Sequence, residues 1–309
     1  MFTLVDMSTT SPVWYEGEIE CDHDLRAFFC GLDADSSLFQ REQLRERLIA
    51  LDDLDARFGG FADSTMPSDS RIWKRAKALR TRLEAANAEL YQSVRSDIVR
   101  GGQPRALLQW LRHLASQNES RSPLPGLGFD FRDELLSGVL QFREPREPNP
   151  ARSPEMVPYQ PTPVRHILNL IAATALAEDD IFVDLGSGLG HVPLLVSMAT
   201  GAQSIGIEVQ PAYVASARGC AQTLYLSRVR FIAQDALEAN LSFGTVFYLY
   251  SPFNGSILID VLRALRMESM RRSIRICSLG PCTRTLAKET WLKASMLPDT
   301  ERITVFDSQ

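Results

Sequence analysis

Apolar residues recur every third or fourth position in three stretches between residues 39 and 116, and beyond residue 180 they give way to short β-branched runs. Between Phe39 and Phe58, Leu44, Leu48, Ile49 and Leu54 fall on one helical face, with Gly59-Gly60 as a stop. A longer helix is predicted over 70–100, where Ile72, Ala76, Leu79, Leu83, Ala86, Leu90, Val94 and Ile98 step by three or four. That spacing matches a short coiled-coil seam and predicts a homodimer through the helix at 70–100. Pro104 opens a third helix running to about Ser116, with Leu107, Leu108, Leu111 and Leu114 as its stripe. Acids alternate from Glu16 to Asp24, which reads as a solvated arm or an edge strand, and the cations Arg71, Lys74, Arg75, Lys77, Arg80 and Arg82 read as a solvated helix face, the alternative being contact with an acidic substrate or partner.

Between Gln117 and Pro158 the composition shifts to Pro, Gly, Ser and charge, most plainly over 143–150, which cannot continue a helix. A domain boundary is expected there, with residues 1–150 a mainly helical domain for substrate selection, a lid or dimerisation. Residues 151–309 then form the second domain. Phe129 to Phe142 reads equally as a short helix or a hairpin. From Ile181 onward, strands are predicted at 181–185, 204–209, 229–234, 245–251 and 273–279, alternating with helical patterns. Two more, at 290–296 and 301–307, are separated only by Leu297 to Thr300, too short for a crossover helix, so they form an antiparallel hairpin. The expected fold is α/β: a doubly wound, seven-strand, mostly parallel sheet with a C-terminal hairpin, preceded by a mainly helical N-terminal domain.

Composition narrows the function. The 309 residues carry a formal charge of −5, and the excess acidity is all N-terminal: 24 acids against 19 bases in residues 1–150, and 14 of each in 151–309. Neither half offers net positive charge to neutralise phosphates, which argues against nucleic acid as a partner. The cysteines (Cys21, Cys30, Cys220, Cys277, Cys282) are odd in number and scattered, the usage of reduced thiols in a cytoplasmic protein. The N-terminus lacks the basic-then-apolar order of a secretory signal. The longest nearly apolar run, Ile167 to Ala177, is about half the length of a membrane span. No metal site is expected.

The chemistry concentrates after the first predicted strand, in Val183-Asp-Leu-Gly-Ser-Gly-Leu-Gly190. A dinucleotide fingerprint counted from Gly186 would need a glycine at position 191, where the chain has His191, and Asp184 would repel a pyrophosphate at the following helix. S-adenosylmethionine has no phosphate and carries an ammonium and a sulfonium, so Asp184 becomes attractive and the glycines admit close backbone approach. Glu208, 22 residues beyond Gly186, ends the second strand, where a carboxylate accepts two ribose hydroxyls. Asp235 and the Ala236 amide end the third, placed for an adenine edge.

With these acids at three successive strand ends, residues 160–309 resemble a class I, seven-strand S-adenosylmethionine-dependent methyltransferase. The resemblance implies cofactor-binding roles for Asp184, Gly186, Ser187, Gly188, Gly190, Glu208, Val209, Asp235 and Ala236. Upstream, Val157-Pro-Tyr-Gln-Pro-Thr-Pro163 is similar to the PY-x-PTP segment of protein-lysine methyltransferases related to the non-SET nucleosomal enzyme. It implies that Tyr159 and Thr162 line the methionine end of the site; a local reading makes Thr162 the helix N-cap. The fourth strand ends Tyr248-Leu-Tyr-Ser-Pro-Phe-Asn254, where amino-methylating relatives carry a second proline that this chain lacks, which puts nucleobase methylation in doubt. Tyr250, Ser251 and Phe253 are the acceptor-side candidates, against plain strand-end packing. His191 reads as structural rather than a base, and Cys277 as core. The expected acceptor is a protein lysine; the alternatives are a small molecule beneath an N-terminal lid, or a cofactor-binding protein without turnover.

Overall fold

The computed structural model describes residues 27–58, 71–100, 105–118, 128–143, 155–157 and 159–309. The arm at 16–24, the glycine stops at 59–60 and 101–102, Pro104, and the proline-rich stretch 144–150 that marks the expected domain boundary lie outside them. The chain forms two compact units, Met1–Leu90 and Tyr91–Gln309.

The first unit is helical: residues 27–34 (α1), Leu44–Phe58 (α2) and the larger part of Arg71–Val99 (α3). Its core joins Phe29, Leu38, Ala50, Leu54 and Phe58 to Ala76, Leu79 and Leu83. The buried face of α2 is Leu44, Arg47, Ala50, Leu54 and Phe58, with Leu48 and Ile49 at its margin, so the face is rotated from the expected one. Arg47 is 1% exposed; its Nε donates to Asn87 Oδ1 (2.6 Å) and another N–H to the Leu38 carbonyl (2.9 Å). These acceptors permit a charge inside an otherwise apolar layer. The cations of early α3 are mostly solvated and meet acids of the same unit, Arg75 and Arg82 on Asp33, Arg80 on Asp55 and Glu84. Ala76, Leu79, Leu83, Leu90, Val94 and Ile98 are all buried in the single chain. Those side chains are withdrawn from solvent without a second copy, so their burial lends no support to the expected dimer seam.

In the second unit Arg105–Asn118 (α4) packs on Phe131–Leu140 (α5), which resolves the helix-or-hairpin choice at 129–142. A capping box fixes the start of α5: the Arg132 N–H donates to Asp130, and the Asp130 N–H donates to Asp133 Oδ2 at 2.7 Å. Next come Val164–Thr174 (α6), Ile181–Leu185 (β1), His191–Thr200 (α7), Gln203–Glu208 (β2), Pro211–Thr223 (α8), Val229–Ala233 (β3) and Val246–Tyr250 (β4). Gly255–Ser269 (α9), Arg275–Leu279 (β5), Thr283–Leu286 (α10), Leu292–Ala294 (β6) and Thr304–Ser308 (β7) complete it. The sheet has seven strands in the order β3-β2-β1-β4-β5-β7-β6. The first five are parallel; β7 runs antiparallel to β5 and β6.

Strand alternation sets the two faces. Val183, Leu185, Phe247, Leu249 and Ile276 share one core with Leu258, Val261, Leu262 and Leu265 of α9. On the other face Phe182 stacks on Tyr248, centroids 6.3 Å apart, while α7 and α8 pack on β1, β2 and β3. The chain moves outward from β1 to β3 and returns to β4 on the other side of β1. That reversal opens a crevice at the carboxyl ends of β1 and β4.

The helix leading into β1 starts otherwise than the local reading expects. Its N-cap is Pro163, which has no side chain to offer, and the Val164 N–H donates to Asp133 Oδ1 at 2.8 Å. Thr162 is turned away, its hydroxyl 3.2 Å from the Tyr248 hydroxyl. Burial pushes the Asp133 carboxyl up to about 6, against the two N–H donors that pull it down. One carboxylate therefore serves the N-termini of both α5 and α6. Asp133→Ala is expected to lower the unfolding free energy by about 1–2 kcal/mol, the worth of a lost cap, as read by urea titration at pH 8.

Candidate cofactor and active site

The loop 186–190 between β1 and α7 is stitched to its neighbour strand, since the Gly186 and Ser187 N–H groups both donate to the Ile207 carbonyl, at 2.9 and 3.0 Å. Gly186 (φ 85°) and Gly188 (φ 53°) hold backbone conformations that side chains disfavour. A Cβ on Gly186 would lie 2.5 Å from Pro252, and one on Gly188 would lie 2.1 Å from the Tyr159 ring. The glycines thus let the loop sit directly beneath two other segments, the β4–α9 turn and the residues before α6.

Three carboxylates surround this loop. Asp184, on β1, is 4% exposed; burial, and then the nearby Glu208 charge, push its pKa well above the ordinary carboxylate range. Glu208, ending β2, accepts the Gly188 N–H on Oε2 (2.9 Å) and the Gln210 N–H on Oε1 (2.8 Å). Each oxygen retains a further lone pair for an incoming donor. Asp235, after β3, accepts the Leu237 N–H at 2.9 Å.

A cavity of about 430 Å³ opens between them. Of the expected residues its wall brings together Asp184, Gly186, Ser187, Glu208, Val209, Asp235, Ala236, Tyr159, Thr162, Tyr250, Ser251 and Phe253. Gly188 and Gly190 stand behind that wall, Gly188 beneath Tyr159 and Gly190 as the N-cap of α7. The wall also contains Gln160, Gln210, Tyr213, Gln234 and Asn254, which the sequence reading missed. Gln210 and Gln234 sit two residues after Glu208 and one before Asp235, so extending each strand tip would have found them. Tyr213 lies inside α8 and gives no local signal.

Residues 155–157 and 159–163 roof the cavity. Met156 bridges Phe253, the Val157 N–H donates to the Pro252 carbonyl (3.2 Å), and the Asn254 N–H donates to the Glu155 carbonyl (2.8 Å). The Glu155 carboxylate accepts the Ile257 N–H (3.0 Å) and the Ser256 hydroxyl (2.8 Å) at the start of α9, and these donors hold its pKa below the usual value. Further along, the Tyr159 hydroxyl is 3.1 Å from His191 Nδ1 and its ring centroid 5.2 Å from that of Tyr213. His191 is enclosed, 4.6 Å from the Phe142 ring, and burial lowers its pKa to about 4. The imidazole is neutral at physiological pH and orients Tyr159.

On the acceptor side the three candidates separate. Ser251 has φ 41°, and its hydroxyl donates to the Leu279 carbonyl (3.1 Å) and accepts the Cys282 N–H (3.0 Å). Its side chain is a tether between the ends of β4 and β5, as the alternative of strand-end packing has it, while the residue itself lines the cavity. Tyr250 differs: its hydroxyl is buried with no hydrogen-bond partner among the described residues, and burial raises its pKa. Phe253 is 7% exposed and supplies an apolar wall. The Ser187 hydroxyl is likewise buried without a partner. Cys277 lies in the core, as expected, and among the described residues no His/Cys/Asp/Glu group could hold a metal. No described helix is long and apolar enough to cross a membrane.

The raised pKa of Asp184 has a measurable sign. A carboxyl that holds its proton more tightly folded than unfolded removes stability as pH rises from the ordinary carboxylate range through the raised value. The melting temperature of the ligand-free protein is therefore expected to fall with rising pH across that window, and Asp184→Asn to flatten the fall. Parallel pH profiles for the two proteins would contradict this.

Residues 156–244 match the family model described as "Histone methylation protein DOT1", which takes in the roof, the glycine loop and all three carboxylates. No curated protein matches. Among solved structures, the chain is similar to an RNA methyltransferase from Salinibacter ruber in complex with S-adenosyl-L-homocysteine (25% identity, 48% of this chain and 92% of that one, TM-score 0.39). It is also similar to the putative methyltransferase yhhF from Escherichia coli (15% identity, 47% and 86%, TM-score 0.39). A third is precorrin-6y C5,15-methyltransferase from Geobacter metallireducens GS-15 (15% identity, 52% and 93%, TM-score 0.38). By its sheet order, its glycine loop with carboxylates at three strand tips, and the family match across them, the chain is a class I S-adenosylmethionine-dependent methyltransferase.

Proposed function

We propose that this enzyme methylates the side-chain amine of a protein lysine, with residues 1–150 serving substrate selection. The observation that carries the acceptor is the DOT1 match, which begins at Met156 and so includes the roof over the cavity. The residues suit the cofactor: a cation belongs beside the buried Asp184, ribose hydroxyls can use the remaining lone pairs of Glu208, and an adenine edge can meet Asp235 and the Ala236 amide. Tyr159, fixed by His191, closes over the loop, and Ser187 has an unused hydroxyl at the same wall.

Bound S-adenosylmethionine supplies an activated methyl group on sulfur. The work left to the chain is to deliver an uncharged amine in line with it, by positioning and by exclusion of water. Phe253, Pro252 and Pro281 make that end of the cavity apolar, which lowers the pKa of an incoming ammonium. The Tyr250 hydroxyl can accept an amine hydrogen and aim the lone pair. No general base is required of His191, which is neutral and engaged with Tyr159.

A small-molecule amine is the second reading, favoured by the cavity itself, whose volume of about 430 Å³ suits a compact ligand. Two measurements test the scheme. Calorimetric titration with S-adenosylmethionine is expected to show binding that Asp184→Ala and Glu208→Ala abolish; binding unaffected by either change would remove the assigned roles. Transfer of labelled methyl in a cell lysate is expected to place label in protein, whereas label confined to small molecules replaces the main reading with the second. With a working acceptor, Tyr250→Phe is expected to lower kcat by roughly tenfold, about 1.4 kcal/mol for one hydrogen bond, while S-adenosylmethionine affinity is unchanged.

A further inference from the structure

The sheet carries a second concavity beside the first, on the side of β5. It is a groove of about 830 Å³ between α10 and the connection from β6 to β7. Its floor is joined to the cofactor cavity through one turn: the Gly280 N–H donates to the Thr300 carbonyl at 2.9 Å, and the next residue, Pro281, lines the cavity. The groove therefore adjoins the end of the cavity assigned to the methyl acceptor.

The groove has a distinct chemistry. Arg284, Lys288 and Arg302 line it, against the single carboxylate of Asp299. That carboxylate is engaged, 3.7 Å from Arg302 and accepting the Glu301 N–H at 2.8 Å. Arg284 and Lys288 are exposed and form no salt bridge among the described residues. Between these cations stand Met296 and Leu297, 58% and 89% exposed, the latter the most exposed large apolar side chain described. Isolated exposed apolar residues are ordinary; two adjacent ones in a concave surface rimmed by three cations are an uncommon arrangement for unengaged surface. The local positive charge is also set in a chain of net charge −5.

We propose that this groove docks the acceptor protein through a short acidic segment carrying an apolar side chain, with Leu297 and Met296 receiving the apolar group and Arg284, Lys288 and Arg302 the carboxylates. The inference rests on the protein-lysine reading above and adds to it where the acceptor is held. Charge complementarity selects the segment, and continuity with the cavity through Pro281 gives its lysine access to the methyl group.

The test uses the full chain and three fluorescent synthetic peptides without lysine: one with Glu, Asp and Leu, one with Arg in place of the acids, and one with Ser in their place. Anisotropy is expected to show binding of the acidic peptide only, weakened by salt. Arg284→Glu with Lys288→Glu should reduce it about tenfold, the scale of two surface charge interactions reversed. Leu297→Ser should reduce it independently. S-adenosylmethionine affinity, measured on the same variants, should be unchanged, which shows that they are folded. Equal binding of the three peptides, or acidic-peptide binding that neither variant weakens, overturns the proposal; so does a single-stranded RNA oligonucleotide binding there in place of any peptide. The same peptides with one added lysine are then offered with labelled S-adenosylmethionine. Docking without methylation of any lysine would count against the protein-lysine reading and leave the groove standing, whereas equal KM for acidic and Ser peptides would overturn the groove and leave that reading standing.

Discussion

Two carboxylates at adjacent parallel strand tips, in a crevice that withdraws one of them almost wholly from water, set the terms for the rest of the site. Burial, and then the Glu208 charge, raise the cost of ionising Asp184, and the fold supplies donors to the two acids unequally. Glu208 receives two backbone N–H groups, one from the glycine loop and one from the start of the next connection. Among the described residues Asp184 has no comparable donors and is left to burial. The difference separates them: Glu208 is held in a fixed geometry, whereas on the proposed reading Asp184 is completed by a cation. S-adenosylmethionine carries that cation, so the crevice is most favourable when filled.

A second pair of carboxylates holds the roof in place. Asp133 receives the first N–H groups of α5 and α6, and Glu155 those at the start of α9, so the chain on either side of residues 156–163 is anchored to helix termini. Helix N-termini are short of acceptors and favour negative charge, which is why acids are effective there. With its ends fixed, the short run between them can place Tyr159 over Gly188 without structure of its own. The tightness of that contact explains the glycine better than flexibility does.

The sequence reveals most of this at the level of periodicity and strand ends. The seven strands, their hairpin and the residues 184, 208 and 235 follow from alternation and from the position of acids after apolar runs, because a parallel sheet covered on both faces leaves few other patterns. What escapes is long-range. Thr162 is a reasonable N-cap by local rules, yet Asp133, 31 residues upstream, does the capping. Ser251 resembles a contact residue until its hydroxyl is found between Leu279 and Cys282. Arg47 sits on the buried face of α2, where no hydropathy pattern would place it, because Asn87 lies opposite. In α3 the period is right, but a stripe every three or four residues reports burial and says nothing about whether a second copy provides it.

The acceptor side follows from what the cavity contains. A methyl transfer to nitrogen needs an amine without its extra proton, and an enzyme obtains one either by a base or by an environment hostile to charge. Among the described residues the one imidazole lining the cavity, His191, is neutral and bonded to a tyrosine, and Asp184 is assigned above to the cofactor end. What faces the other end is Pro252, Phe253, Pro281 and a phenol whose pKa is raised and whose hydroxyl is unpaired. A raised phenol cannot be the base, because it holds its own proton through the physiological range. It can hold an amine by hydrogen bonding while the apolar wall favours the amine's uncharged form. For the amine acceptor proposed above, selectivity then falls to whatever brings the amine to this mouth, on surfaces outside the cavity rather than on a catalytic group within it.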